Sequence, residues 1–351
     1  MLITITAGAE KTKQQILDAA AQRGIMTQTM ANGRGGEVIA VGGSLPAGQL
    51  DLHGVERVQE THKPYMLASL DARAKSTVMV GDVAIGGGEP IIMAGPCSVE
   101  GRDAMIENAR QVKAAGATIL RGGAFKPRTS PYSFQGLGEL GLQHMADARD
   151  ITGLPIVTEV MEPDQVDLVA DYADMLQIGS RNMANFPLLK RVGRSNRPVL
   201  LKRGFSATLE ELLMSAEYIM AHGNPNVVLA ERGIRTADAA FRFNLDLNIV
   251  PGIREVSHLP VIVDPSHGTG RRELVHRMSL AGIAAGADGL AIEVHPDPDN
   301  ALSDGFQTIT PQELSRIHRR MLALHDVLRE TEEMAEIYPL HAEGERMVIT
   351  A

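Results

Sequence analysis

ATILRGGAFKPRTSPYSF, Ala117 to Phe134, passes from a short apolar run into three cations set among glycines and prolines. The run Ala117 to Leu120 has the length of a buried strand, so Arg121 begins where that strand emerges. Lys126 and Arg128 then fall on a loop stiffened by Pro127 and Pro131. Arginine offers a bidentate fork to phosphate or carboxylate, and lysine a mobile point charge. A solvated basic turn is the ordinary explanation of such a triplet. It loses weight because charged residues recur at equivalent places along the rest of the chain.

Working outward from this stretch, the same strand-then-helix rhythm repeats from Glu89 onward. Strands are predicted at 91–94, 117–120, 155–158, 175–178, 198–201, 226–229, 260–263 and 288–292. Amphipathic helical patterns fill the gaps, among them 103–115, 163–172, 209–221, 271–285 and 311–328. About eight β-α units over roughly 250 residues give the size and rhythm of a (β/α)8 TIM barrel. A doubly wound open sheet is the rival, but no glycine fingerprint opens the first helix and the strand count is high. Barrel sites gather where strands end. Beyond the predicted strands come Cys97, Arg121 with Lys126, Glu159, Arg181 with Asn182, Lys202 with Arg203, Glu231 with Arg232, Asp264 with His267, and Glu293. The opposite ends are opened by Pro90, Pro155, Pro198 and Pro260, which read as structural.

Residues 1–70 follow a different pattern. LITITA alternates as a strand does, 12–23 places Ile16, Leu17 and Ala20 on one helical face, and 26–30 and 37–41 read as two strands joined at Gly33, Gly35 and Gly36. A short helix near Gln49 and a strand over 55–60 would complete a β-α-β-β-α-β, ferredoxin-like unit. Residues 71–88 read as a linker and barrel-capping hairpin, 89–335 as the barrel, and 336–351 as a tail without a pattern.

Composition narrows the function. The chain has 351 residues, of which 44% are hydrophobic, enough for one barrel and a small appendage. Its formal charge of −9, with 3% aromatic residues and no Trp, argues against nucleic acid as a partner. No apolar run approaches the roughly 20 residues that span a bilayer, and residues 1–24 lack the pattern of a signal peptide, so a cytoplasmic location without membrane attachment is the expectation. A single cysteine fits a reducing compartment.

A lone cysteine is usually a small buried hydrophobe. Cys97, however, shares the predicted strand-end register with His267 and Glu293, and Asp304 lies just beyond. One thiolate, one imidazole and two carboxylates suit a borderline divalent ion such as Mn, Fe, Co or Zn better than Mg or Ca. His295 is the weaker ligand candidate. Arg121, Lys126, Arg128, Arg181, Lys202, Arg232 and Arg235 exceed what one phosphate needs, so two anionic substrates are implied. An internal ion pair is an equal alternative for Arg203 and Arg235.

GPCSVE, LRGGAFKPRTSPYSFQGLG, TEVM, IGSRNMANFPLL, LLKRG, ERGIRT, DPSHGTGRR and EVHPDPDNALSDG together resemble the 3-deoxy-D-arabino-heptulosonate 7-phosphate (DAHP) synthase family, of the type with an N-terminal ferredoxin-like domain. The resemblance implies condensation of phosphoenolpyruvate with D-erythrose 4-phosphate at the entry to the shikimate pathway. It implies one divalent metal ion per subunit held by Cys97, His267, Glu293 and Asp304, with Lys126 acting in catalysis beside Cys97 and His267. Arg121, Lys126, Arg181, Lys202 and Arg232 match the phosphoenolpyruvate contacts, and Arg128 and Thr129 of KPRT match the erythrose 4-phosphate contacts. An octulosonate synthase, where KANRS replaces this loop, or a sialic-acid-type synthase is the rival enzyme, and an idle sensor or partner-binding barrel is the rival of another class. A homotetramer, an aromatic amino acid effector and a chorismate mutase partner are further implications of the resemblance.

Overall fold

The computed structural model describes residues 1–45, 53–127, 130–238 and 240–337, with side chains as far as Glu330. The first unit comprises β1 (Leu2–Ile5), α1 (Glu10–Ala21), β2 (Thr27–Ala31), β3 (Glu37–Val41) and β4 (Val55–Gln59). Its antiparallel sheet has the order β2-β3-β1-β4. Ile3, Ile5 and Ile39 face Ile16 and Ala20 of α1, whose i, i+4 spacing gives the helix one apolar stripe. The opposite sheet face, with Leu2, Met30, Val38 and Ala40, joins the main core together with Tyr65, Leu67 and Ala68. The helix expected near Gln49 lies outside the described residues, as do residues 338–351 of the tail.

A hairpin of β5 (Val78–Val80) and β6 (Val83–Ile85) precedes the barrel. Eight parallel strands then close on themselves: β7 (Ile91–Gly95), β8 (Ile119–Arg121), β9 (Ile156–Glu159), β10 (Met175–Ile178), β11 (Val199–Lys202), β12 (Val227–Glu231), β13 (Val261–Val263) and β14 (Gly289–Glu293). Closure is made by β14 and β7, paired from Gly289↔Ile91 to Glu293↔Gly95. Five strands start one residue later than the sequence predicts, and in three of them the displaced residue is Pro155, Pro198 or Pro260, which has no N–H for the ladder. Each proline still gives its carbonyl to the neighbouring strand, accepting from Leu120, Leu176 and Leu229 at 2.8, 2.9 and 2.8 Å.

Around the barrel run α2 (Arg102–Ala114), α3 (Glu139–Thr152), α4 (Val166–Tyr172), α5 (Phe186–Val192), α6 (Leu209–Met220), α7 (Ile249–Val256), the short α8 (Pro265–Thr269), α9 (Arg272–Ala284) and α10 (Pro311–Ile337). The segment expected to be helical over 163–172 opens with a 3-10 turn at Pro163–Gln165. Thr208 starts α6 through a reciprocal capping box with Glu211, which satisfies two backbone N–H groups otherwise left without partners. No helix among the described residues is long and apolar enough to cross a membrane.

Strand side chains alternate between the barrel interior and the helices. Ile91, Met93, Ile119, Val157, Met175, Leu200, Val228, Ile262 and Ala291 fill the interior, and Val78, Val80 and Ile85 of the hairpin plug it from the N-terminal end. Ile92, Leu120, Ile156, Leu176, Val199 and Val261 point outward into the larger core beneath the helices. The interior is thus packed solid at one end, and anything chemical must sit at the other.

Candidate functional site at the C-terminal rim

Two residues beyond Ile119, Val157, Met175, Leu200, Ala230, Ile262 and Ala291, the inward register reaches Arg121, Glu159, Gln177, Lys202, Arg232, Asp264 and Glu293. Most of these are buried: Arg121, Lys202, Arg232, Asp264 and Glu293 are each no more than 8% exposed. Arg121, Glu159, Gln177, Lys202 and Arg232 line a cavity of about 290 Å3 together with Lys126, Arg181, His267 and Asp304. A layer of buried charge in a barrel core is costly unless its members pair or await a partner.

The acidic side of the cavity is a tight group. Donor atoms of Cys97, Glu293 and Asp304 all lie within 4.8 Å of one another. Cys97 Sγ is 3.2 Å from Asp304 Oδ2. His267 stands next to this trio, its Nε2 3.3 Å from Glu293 Oε1. Asp304 has φ 51, the one non-glycine residue in the left-handed region among the described residues. Asp tolerates that conformation better than most, and such strain persists where the fold over-determines a side chain's position.

Asp264 ends β13 and caps α8: Oδ1 accepts from the His267 backbone N–H at 3.0 Å, and Oδ2 lies 2.8 Å from His267 Nδ1 and 2.6 Å from Lys202 Nζ. Burial alone would raise the Asp264 carboxyl, but His267 and Lys202 hold it well below the ordinary carboxylate range. An ionised carboxylate only accepts, so the contact with Asp264 places a proton on His267 Nδ1 and leaves Nε2 as the ring nitrogen turned to Glu293. Burial would also raise Glu293, yet His267, Arg121 and Lys126 bring it to about 2. His267 Nε2 and Glu293 Oε1 stand 3.3 Å apart, close enough for one ion to take both as ligands. Burial, reinforced by Glu293, pushes the Cys97 thiol up to about 12. This donor set, one sulfur, one nitrogen and two carboxylates, fits a borderline divalent ion.

The cationic side wraps this group. Lys126 Nζ donates to Cys97 O at 2.8 Å and lies 3.1 Å from Cys97 Sγ. Its approach depends on Gly123, where a Cβ would fall 2.7 Å from Lys126 Cδ and 2.8 Å from Cys97 O. Arg121 donates through Nη1 to Glu293 Oε1 at 2.9 Å and Pro96 O at 3.0 Å. Glu159 reaches the cavity only because residue 179 is glycine, whose Cβ would sit 2.0 Å from Glu159 Oε1. Arg232 is 5% exposed, and its Nη1 is buried with no hydrogen-bond partner. Burial and the nearby Arg242 and Arg181 lower its guanidinium to about 10, against the pull of Asp264 and Glu231.

The structure thus gathers Cys97, Arg121, Lys126, Arg181, Lys202, Arg232, His267, Glu293 and Asp304 at one rim. Arg128 and Thr129 lie outside the described residues. Arg203 takes the ion-pair alternative, donating to Glu231 at 3.0 Å and Asp246 at 2.9 Å. His295 stands apart, 3.5 Å from Glu100. Sequence reasoning placed Asp264 at a strand end without giving it a role, and it passed over Gln307, which donates to Glu293 Oε2 at 2.7 Å. It also overlooked Phe205, which follows LLKRG and lines the cavity.

Comparison with known proteins identifies the family. The DAHP synthetase I family model matches residues 59–330. A phospho-2-dehydro-3-deoxyheptonate aldolase of Thermotoga maritima is 52% identical over 275 residues, covering 78% of this chain and 81% of that protein. A 2-dehydro-3-deoxyphosphooctonate aldolase of Syntrophotalea carbinolica is 32% identical, covering 72% of this chain and 97% of its own length. Among solved structures, the Thermotoga maritima phospho-2-dehydro-3-deoxyheptonate aldolase (DAHP synthase) superposes with a TM-score of 0.75 at 44% identity, covering 93% of this chain and 97% of that one.

Proposed function

The chain belongs to the DAHP synthetase I family and functions as a DAHP synthase; from that premise we propose that the rim cavity carries out the reaction and that the residues named above divide the work. The reaction joins phosphoenolpyruvate to D-erythrose 4-phosphate and releases phosphate, the entry to the shikimate pathway. The carrying observation is that Lys126 Nζ lies 3.1 Å from Cys97 Sγ beside a cavity lined by Arg121, Arg181, Lys202 and Arg232.

In this reading Cys97, His267, Glu293 and Asp304 hold one divalent ion of the Mn, Fe, Co or Zn type. Such an ion supplies Lewis acidity toward the aldehyde carbonyl. Arg121, Arg181, Lys202 and Arg232 bind the carboxylate and phosphoryl groups of phosphoenolpyruvate, and Arg128 and Thr129 bind the aldose phosphate. Lys126 gives a proton to the aldehyde oxygen as C3 of phosphoenolpyruvate bonds to C1 of the aldose. Arg181 and Arg232 stabilise the phosphate: water adds at C2 and gives up one proton, the C2–O bond breaks with its electron pair going to the departing phosphate, and the C2 hydroxyl passes its remaining proton to that phosphate, leaving the product ketone. Asp264 keeps the His267 Nδ1 proton in place, so that Nε2 stays available.

The test is Lys126→Met. Its turnover should fall on the order of a hundred- to ten-thousand-fold while bound metal, measured by elemental analysis, is retained; near-normal turnover removes Lys126 from the mechanism. Arabinose 5-phosphate should not replace erythrose 4-phosphate.

The reading extends to residues 1–70 as a regulatory domain answering an aromatic amino acid or a chorismate mutase, to a homotetramer, and to a cytoplasmic location. What supports the first is the sheet order β2-β3-β1-β4, which is that of a ferredoxin-like unit, and the way one sheet face joins the barrel core. Inhibition assays with Tyr and Phe, and sedimentation of the full chain, test the first two of these.

A further inference from the structure

The chain has 7 Phe, 5 Tyr and no Trp, yet two of those phenylalanines are stacked against each other at the anion cavity. Phe205 and Phe243 have ring centroids 5.1 Å apart and planes 17° from parallel. Around them stand four guanidinium groups. Arg181 lies 5.5 Å, Arg232 4.9 Å and Arg235 5.0 Å from the Phe205 centroid, while Arg232 lies 4.2 Å and Arg242 5.4 Å from that of Phe243. No carboxylate forms an ion pair with any of the four among the described residues, whereas neighbouring Arg203 pairs with two.

Four like charges in one wall repel, and the usual remedy is a carboxylate. A carboxylate would occupy the very N–H groups that an anionic substrate needs. The face of an aromatic ring attracts a cation through its quadrupole and leaves the in-plane N–H fork free. Phe205 is placed to do this for three arginines at once, and its own carbonyl accepts from the Arg235 backbone N–H at 2.7 Å, which fixes the loop to the ring.

We propose that Phe205, backed by Phe243, is a positioning residue for substrate binding: the stacked rings act as a neutral spacer that holds Arg181, Arg232 and Arg235 apart and unpaired, ready for the phosphoryl end of an anionic substrate. The proposal rests on the reading of this cavity as the phosphoenolpyruvate site. It assigns Phe205 no contact with reacting atoms, so the loss of its ring weakens binding more than chemistry.

The experiment measures phosphoenolpyruvate affinity by calorimetry, together with kcat and both KM values, for wild type, Phe205→Leu, Phe205→Met and Phe205→Tyr. Leu and Met keep apolar bulk without a π face, and two such variants guard against one that folds poorly. The expected result is an increase of about ten-fold in both Kd and KM for phosphoenolpyruvate in Leu and Met, with kcat and the KM for erythrose 4-phosphate within about two-fold. Phe205→Tyr, which keeps the ring face, should restore affinity. Equal losses in Leu, Met and Tyr, or an unchanged affinity in Leu and Met, overturn the proposal. Failure of the wild type to bind phosphoenolpyruvate would instead strike the functional reading itself.

Discussion

The two ends of this barrel are built from the same eight strands and differ in what occupies the inward positions. At the N-terminal end the inward residues are Ile91, Ile119, Val157, Met175, Leu200 and Val228, closed off by the Val78–Ile85 hairpin. At the C-terminal end, two residues along in four of these strands and four along in β12, they are Arg121, Glu159, Gln177, Lys202 and Arg232 around a cavity. At the first end the buried imidazole is paired at both nitrogens. His258 is 3% exposed, with Nε2 2.7 Å from Leu67 O and Nδ1 2.8 Å from Ser76 Oγ, an arrangement that a neutral imidazole satisfies with one donor and one acceptor. At the other end Arg232 Nη1 is buried without a partner and His267 Nε2 faces a carboxylate. One end stabilises the fold; the other stores unsatisfied charge for ligands.

The sharpest way to break this contrast is to disturb each end in turn. Asp264→Ala leaves Lys202 buried without its counter-charge at 2.6 Å and should cost about 3–5 kcal/mol in urea unfolding. It should abolish turnover as well, since His267 loses its orienting partner. Ile85→Ala, in the plug, should cost about 2–5 kcal/mol yet leave kcat per folded molecule unchanged. If the plug variant lost activity at full folding, the separation of the two ends would fail.

A smaller effect sharpens the comparison through pH. Burial lowers the His258 imidazole from 6.5 to about 4. Between those values the unfolded chain holds more protons than the folded one, so stability rises with pH there. It is fully present above about pH 6.5 and is lost as pH falls toward 4, by on the order of 3 kcal/mol. Urea midpoints measured across this range should show the loss in wild type and not in His258→Gln; a pH-independent difference between the two would contradict the neutral imidazole.

Much of the fold was legible because barrel strands announce themselves. Pro155, Pro198 and Pro260 mark entries, short β-branched and Leu runs give the strands, and the next residues carry charge. β10 and β3 fall where the sequence places them, and the others shift by a residue or two where proline or a following charged residue belongs to the ladder differently. The convergence of Cys97, Glu293 and Asp304 was legible from the strand-end register of the barrel and was reinforced by the family resemblance; spacing alone shows nothing, since Cys97 and Asp304 are 207 positions apart in sequence. Which cations pair internally was not. Lys202 meets Asp264 across 62 residues, and Arg203 meets Glu231 across 28, and no local pattern distinguishes these from Arg232, which forms no ion pair among the described residues. The phenylalanine spacer was equally hidden, because a Phe after a strand looks like core until its neighbours are seen to be guanidinium groups.

The central claim is that Cys97, His267, Glu293 and Asp304 hold one ion beside the cationic cradle. Anomalous diffraction from zinc-loaded crystals tests it directly. The account predicts a single strong peak per chain, about 2.3 Å from Cys97 Sγ and about 2.1 Å from His267 Nε2, with carboxylate oxygens of Glu293 and Asp304 completing the coordination. A peak bound elsewhere, or one that engages the carboxylates without Cys97 and His267, would contradict it.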